Sequence, residues 1–148
     1  AVTWTGSQLV AVGGELNATK HGFIVTSTDG ISWTNQTPTG SFGLIKDVTW
    51  TGTQLVAVGA KGLILTSPNG IDWTSRNSAT EESLWSVSSN SDQIVAAGSK
   101  GVILSSPDNG SSWVSIDNPD ETLDLFGITW TGSSFVVAGG SYSSFSGL

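Results

Sequence analysis

The chain has 148 residues, twelve acidic and five basic side chains, a net charge of −7 and no cysteine. Nucleic-acid binding needs clustered cations, so five basic residues exclude it, and an anionic membrane surface is disfavoured for the same reason. Without cysteine there is no disulfide framework, thiolate metal site or cysteine nucleophile, and no apolar run approaches the ~20 residues of a membrane span. Charged residues are only 11% and hydrophobic ones 37%, with 19 Gly, which suits a turn-rich all-β domain rather than a disordered chain. The sequence has neither a starting Met nor a signal peptide, which reads as a processed or excised chain. The expected location is exported, periplasmic or extracellular, although the composition suits a cytoplasmic protein too.

The first predicted element is Val2-Thr3-Trp4-Thr5-Gly6, followed by Gln8-Leu9-Val10-Ala11-Val12-Gly13. It returns at Val48 (Val48-Thr49-Trp50-Thr51-Gly52, then Gln54 to Gly59), at Val87 (then Gln93-Ile94-Val95-Ala96-Ala97-Gly98) and at Ile128 (then Phe135-Val136-Val137-Ala138-Gly139). The intervals from residue 2 to 48, 48 to 87 and 87 to 128 are 46, 39 and 41 residues. Each repeat reads as four short strands, in the second repeat roughly 45–51, 54–59, 62–67 and 71–76, β-branched or aromatic in character with no sustained 3.6-residue period.

A second motif closes each repeat. Ser27-Thr28-Asp29-Gly30-Ile31-Ser32-Trp33 recurs as Ser67-Pro68-Asn69-Gly70-Ile71-Asp72-Trp73 and, one residue longer, as Ser106-Pro107-Asp108-Asn109-Gly110-Ser111-Ser112-Trp113. An apolar run enters each: Phe23-Ile24-Val25, Leu63-Ile64-Leu65, Val102-Ile103-Leu104. This is a hairpin signal: the Asp or Asn side chain folds onto the amides of its own turn, Gly takes a conformation a Cβ forbids, and Trp packs just beyond.

Four antiparallel strands every ~40 residues is the pattern of a β-propeller blade. The expected fold is all-β, one partial propeller domain over 1–148 with blades at about 1–37, 44–76, 84–116 and 125–148, the last truncated. Linkers 35–44, 77–84 and 117–125 carry the Pro, Gly and acidic residues, and Thr80-Glu81-Glu82 and Asp120-Glu121 could each hold one helical turn. The fourth repeat stops at Leu148, where Gly147-Leu148 aligns with Gly22-Phe23 and no turn or Trp follows. Propellers close with ~4–8 blades, and an open ring leaves apolar faces wet. Either the chain is a piece of a longer propeller or copies of it complete one ring as a homo-oligomer. Association is the expectation, though two copies bring six Trp-bearing hairpins for eight first-strand pairs, so the last blade must rearrange.

The closing turns resemble the Asp-boxes of the sialidase (BNR-repeat) superfamily of propellers. Ser106, Asp108, Gly110 and Trp113 match the Ser-x-Asp-x-Gly-x-x-Trp pattern fully; Ser27, Asp29, Gly30 and Trp33, and Ser67, Asn69, Gly70 and Trp73, are a residue short, with Asn69 in place of Asp. The rhythm of inner strand, Ala-Val-Gly strand and box also resembles the photosystem II assembly-factor family and related exported bacterial propellers. The resemblance spans essentially the whole chain and implies a fold; activity must come from a site. Sialidase chemistry, by the same resemblance, needs three arginines and a Tyr–Glu pair. Arg76 is the only arginine and Tyr142 the only tyrosine, so that activity is not expected.

A glycosidase needs two facing carboxylates, with Asp47, Glu81, Glu82, Asp120, Glu121 and Asp124 the candidates; they read first as solvated linker charges, leaving a glycoside hydrolase fragment as the alternative function. No metal or other cofactor is expected, because each box offers one carboxylate and His21 has no ligand partners in sequence. The more informative pattern is Lys61-Gly62, Lys100-Gly101 and Lys20-His21-Gly22, each between second and third strands. With Lys46 these lysines are expected to ring one mouth of the propeller. The first inner-strand position varies as Lys46, Trp85, Phe126, which is how repeat scaffolds build a specific surface. Non-catalytic binding of a protein or glycan through Lys20, His21, Lys46, Lys61, Lys100, Trp85, Phe126 and Tyr142 is therefore the expected function, with bare self-assembly of a repeat fragment a further alternative.

Overall fold

In strands of β-branched residues, alternate side chains face opposite ways, so a run such as Leu55-Val56-Ala57-Val58 must bury both faces. The computed structural model describes residues 1–14, 21–39 and 42–141, and there every such run is a strand. The first blade holds β1 (Val2–Trp4), β2 (Leu9–Gly14), β3 (Gly22–Ser27) and β4 (Thr34–Asn35). The second holds β5 (Ile45–Trp50), β6 (Leu55–Gly59), β7 (Ile64–Ser67) and β8 (Thr74–Arg76); the third, β9 (Leu84–Ser89), β10 (Ile94–Gly98), β11 (Ile103–Ser106) and β12 (Val114–Ile116). A fourth sheet contains β13 (Asp124–Trp130) and β14 (Phe135–Gly140). Strands pair antiparallel in chain order, so three sheets have four strands and the last described one has two. Residues Gly147 and Leu148, where a third strand was aligned, lie outside the described residues.

The hairpin turns show why Ser, Asp and Gly recur. Ser27 Oγ accepts the Gly30 amide at 2.8 Å, and Asp29 Oδ1 accepts the Ile31 and Ser32 amides, both at 2.8 Å. Asn69 Oδ1 does the same for Ile71 and Asp72 at 2.9 Å, so an amide oxygen serves where a carboxylate stands elsewhere. In the longer third copy Asn109 takes up the extra residue at φ 56, Gly110 donates to Ser106 Oγ at 2.8 Å, and Asp108 Oδ1 accepts the Ser112 amide at 2.8 Å. The Ser32 and Ile31 amides hold the Asp29 carboxyl down at about 2, and the Ser112 hydroxyl and amide hold the Asp108 carboxyl there too. The indoles of Trp73 and Trp113 donate back to the carbonyls of Gly70 and Gly110 at 3.0 and 3.2 Å.

Each sheet face packs on the next blade. Val10, Val12 and Ile24 of the first blade meet Ile45, Val48, Leu55, Ala57 and Leu65 of the second, with Trp50, Leu63 and Trp73 against them. Val56, Val58 and Ile64 then meet Leu84, Val87, Ile94, Ala96, Leu104 and Trp113. Val95 and Ala97 meet Leu125 and Ile128. Fully burying one such side chain contributes ~1.5–3 kcal/mol, so the interblade layers are the core. Trp73 and Trp113 therefore pack in the layers shared with the preceding blade, whereas Trp33, on the first described blade, is 42% exposed.

Neither acidic linker forms the expected helical turn. The short 3-10 turns fall instead on Ala60–Gly62 and Ser99–Gly101, the Lys-Gly segments. Blades are also clasped by glutamine, with Gln8 Nε2 donating to the Asn69 carbonyl at 2.8 Å and Gln54 Nε2 donating to that of Asn109.

Candidate interaction site at the bulged inner strands

All three complete inner strands carry the same irregularity. Ile45 faces Gly59 while Asp47 faces Val58, so Lys46 is an extra residue without a partner in β6. Trp85 is extra between Leu84 and Ser86, and Phe126 between Leu125 and Gly127. These are β-bulges, which remove a residue from the ladder and re-aim its side chain. The glycine ending each Ala-Val-Gly strand makes them possible: a Cβ on Gly59, Gly98 or Gly139 would lie 2.1, 2.4 or 2.2 Å from the carbonyl oxygen of Leu44, Ser83 or Asp124. The first two of those carbonyls accept the Ala60 and Ser99 amides at 2.9 and 2.8 Å, locking the bulge to the Lys-Gly turn.

The bulges bring three predicted site residues into one row. Lys46 Nζ sits 3.5 Å from the centroid of the Trp85 ring, and Trp85 meets Phe126 edge-on at 5.6 Å and 72°. The Trp85 indole donates to Ser99 Oγ at 2.8 Å, which fixes the ring beside the turn that carries Lys100. A cation over an aromatic face contributes ~0.5–2 kcal/mol, depending on desolvation. Burial pushes the Lys46 ammonium below its ordinary pKa. The one ion pair among the described residues is Lys100–Glu82, so no described carboxylate neutralises Lys46. Beside Phe126 the row ends at an open, largely apolar hollow of about 600 Å³, lined also by Gly127, Ala138, Gly139, Gly140 and Ser141.

The expected ring of lysines is only partly brought together. Lys20 and Tyr142 lie outside the described residues. Lys46 turns onto Trp85, while Lys100 pairs with Glu82 at 2.8 Å, and that carboxylate raises its pKa. Lys61 is exposed beside a hollow of about 320 Å³ shared with Arg76, Asn77 and Glu81. His21 is exposed at the entry to β3. The Lys-Gly turns have a structural duty of their own: Lys61 and Lys100 adopt φ of 56 and 53, and the Gly62 and Gly101 amides donate to the Glu82 and Leu123 carbonyls at 2.8 and 2.7 Å. Each turn thus clamps the next interblade linker, and their lysine side chains are free to differ in role.

Asp47 is the residue the sequence misplaced. Among the candidate acids expected as solvated linker charges, it instead stands in β5 and joins two blades. Its Oδ2 accepts the Ser86 hydroxyl at 2.8 Å and the Val87 amide at 2.9 Å, and its Oδ1 accepts the Val48 amide at 2.9 Å. Ser86 and Ser88 continue the relay by accepting the Ile128 and Trp130 amides at 3.3 and 3.1 Å. The available signal was position: Asp47, Ser86 and Gly127 align just after the bulge. Other candidate acids are likewise engaged, Glu82 by Lys100 and Asp124 by the Lys100 amide at 3.0 Å. The Thr122 hydroxyl and amide lower the Asp120 pKa, as the turn amides lower that of Asp29 and the Ser112 hydroxyl and amide that of Asp108, whereas a general acid needs a raised one. Among the described residues no three His, Cys, Asp or Glu side chains converge as a metal site.

No family model matches the chain, and no curated protein matches it. Among solved structures it is similar to YCF48 from Cyanidioschyzon merolae, with a TM-score of 0.72 and 17% identity over 95% of this chain. The match covers 48% of that chain, so this one spans about half its length. The likeness shows the fold: a β-propeller of four-stranded antiparallel blades.

Proposed function

We propose that this protein is a non-catalytic interaction propeller, that its contact surface is the row Lys46–Trp85–Phe126 with the adjoining Lys-Gly turns, and that the ligand is an acidic segment of a protein. The observation that carries this reading is the repeated bulge, which adds one residue per blade to the regular register and places a cation and two aromatic rings in contact there. Lys46 supplies a charge with no described carboxylate partner, Trp85 and Phe126 supply flat apolar area, and a carboxylate-bearing peptide satisfies both. The resemblance to photosystem II assembly-factor propellers and the shared fold with YCF48 support a protein partner over a reaction. On the same reading the hairpin turns are Asp-boxes with a structural role, the blades divide at about 1–37, 44–76, 84–116 and 125–148, and the protein works outside the cytoplasm.

The test is a titration followed by tryptophan fluorescence, using a peptide of six glutamates ending in phenylalanine and its glutamine counterpart. The glutamate peptide is expected to bind, the glutamine one to bind about tenfold more weakly, and Lys46→Gln to remove that difference, since one ion pair at a half-desolvated site is worth about 1.4 kcal/mol. Equal binding of both peptides to the wild type overturns the acidic-ligand reading. Binding of a β-glucan oligosaccharide that survives Lys46→Gln but fails in Trp85→Ala assigns the row to a glycan instead.

A further inference from the structure

The described blades form an arc whose two outer faces are the two halves of an interface the chain already makes three times. On the first blade Val2, Trp4, Phe23 and Trp33 are 59, 52, 43 and 42% exposed. Their counterparts one repeat later are Val48, Trp50, Leu63 and Trp73, all packed on the first blade, with Val48 only 4% exposed. At the other end Val136 is 49% exposed and Ala138 also lies open, whereas Val10, Val56 and Val95 at the position of Val136 are 0, 0 and 6% exposed. The first face thus accepts what a preceding blade offers, and the last offers what a following blade accepts.

We propose that a second copy of this chain docks head to tail, the Val2–Trp4–Phe23–Trp33 face of one copy on the Val136–Ala138 face of the other, and that two such contacts close a dimer. The occupant is another copy because both matching halves are on one chain. The proportion agrees: the arc matches 95% of itself to 48% of a propeller of the same fold, so a ring of that size holds about two arcs. A head-to-tail contact either closes or grows, and two arcs of about half a ring each close. This surface meets the bulge row only at Ala138, which also lines the hollow beside Phe126, and its test is independent of any ligand.

The experiment is light scattering across a concentration series on the wild type, Val2→Glu, Val136→Glu and the milder Val136→Thr, with circular dichroism confirming folded blades. Both valines are exposed in the single chain, so the folded sheets tolerate the change. The wild type is expected to be a dimer. Each Glu variant alone is expected to dissociate at least 100-fold more readily, with Val136→Thr between. A mixture of the two Glu variants keeps one intact contact and is expected to recover paired species at high concentration. A wild type that is monomeric throughout overturns the proposal. So does a ladder of ever larger species, a Val136→Glu variant as dimeric as the wild type, or a mixture that stays monomeric.

Discussion

Replacing Asp47 by alanine tests whether the inner strands are held together by a side-chain relay or by apolar packing alone. The carboxylate accepts three hydrogen bonds, two of them from the next blade, at 2.8 and 2.9 Å. A hydrogen bond to a charged acceptor is worth ~1.5–3 kcal/mol, and a buried amide left without an acceptor costs ~1–3 kcal/mol. Across the blade interface the loss is set by the Val87 amide and the Ser86 hydroxyl, together about 3 kcal/mol. For a domain of this size that lowers the melting temperature by about 6–12 °C. The repeat itself supplies the control, because Ser86 occupies the equivalent place in the third blade and holds the Ile128 amide at 3.3 Å. Asp47→Ser should therefore cost about half as much as Asp47→Ala, since a neutral hydroxyl keeps one bond of the pair. Urea unfolding with unchanged slope, read at the midpoint, separates the three proteins. If Asp47→Ala stays within about 0.5 kcal/mol of the wild type, or if serine is no better than alanine, the relay is not what joins these blades.

Gly98→Ala should destabilise by about 1–3 kcal/mol, because the new methyl falls 2.4 Å from the Ser83 carbonyl, while Gly127→Ala, with nothing within 4 Å, should change little; similar melting temperatures for the two would refute the bulge account. The Asp29 and Asp108 carboxyls sit at about 2 in the fold against 3.8 ordinarily, so their stabilisation of the turns is complete above about pH 4 and is lost as the pH falls through 2. In an NMR titration the Ile31 and Ser112 amides should shift with midpoints near 2 while Ile71, bound by uncharged Asn69, does not follow; a midpoint near 4 at Ile31 would refute this. Trp113→Ala should cost about 3–5 kcal/mol, as for a buried aromatic, and Trp33→Ala much less in the single chain; equal losses in urea would show that the preceding blade is not what buries these rings.

The strands and hairpins were legible because their signals are local. Alternating valines and alanines, a Thr-Gly turn, and a Ser-x-Asp-Gly turn each specify a few φ/ψ values and a few hydrogen bonds within eight residues. The row of Lys46, Trp85 and Phe126 was legible too, as one repeat position that differs among blades, although only the register revealed that a bulge aims it. What the sequence left hidden depends on neighbours 40 residues away. Asp47 reads as any acidic residue until Ser86 and Val87 stand beside it. The lysine pattern misled for a related reason: Lys61 and Lys100 repeat because the glycine after them must approach the next linker, and Lys100 then finds Glu82. Repetition marked the backbone requirement, and the charge came with it.

That separation of duties lets the bulge position vary from blade to blade without a change in the scaffold. The needs of every blade are met by backbone contacts and small groups: the glycine under the bulge, the Lys-Gly clamp, the Ser–Asp turn. The bulged residue stands outside the regular register, and lysine, tryptophan and phenylalanine each occupy it in successive blades. The position just after it behaves differently, running from a carboxylate through a hydroxyl to no side chain as Asp47, Ser86 and Gly127. The tie across the inner strands changes in kind with it: the Asp47 carboxylate takes two bonds from the third blade, and the Ser86 and Ser88 hydroxyls take one amide each from the last described one. The row of Lys46, Trp85 and Phe126 lies beside these ties, with its cation on the blade that Asp47 joins to the next.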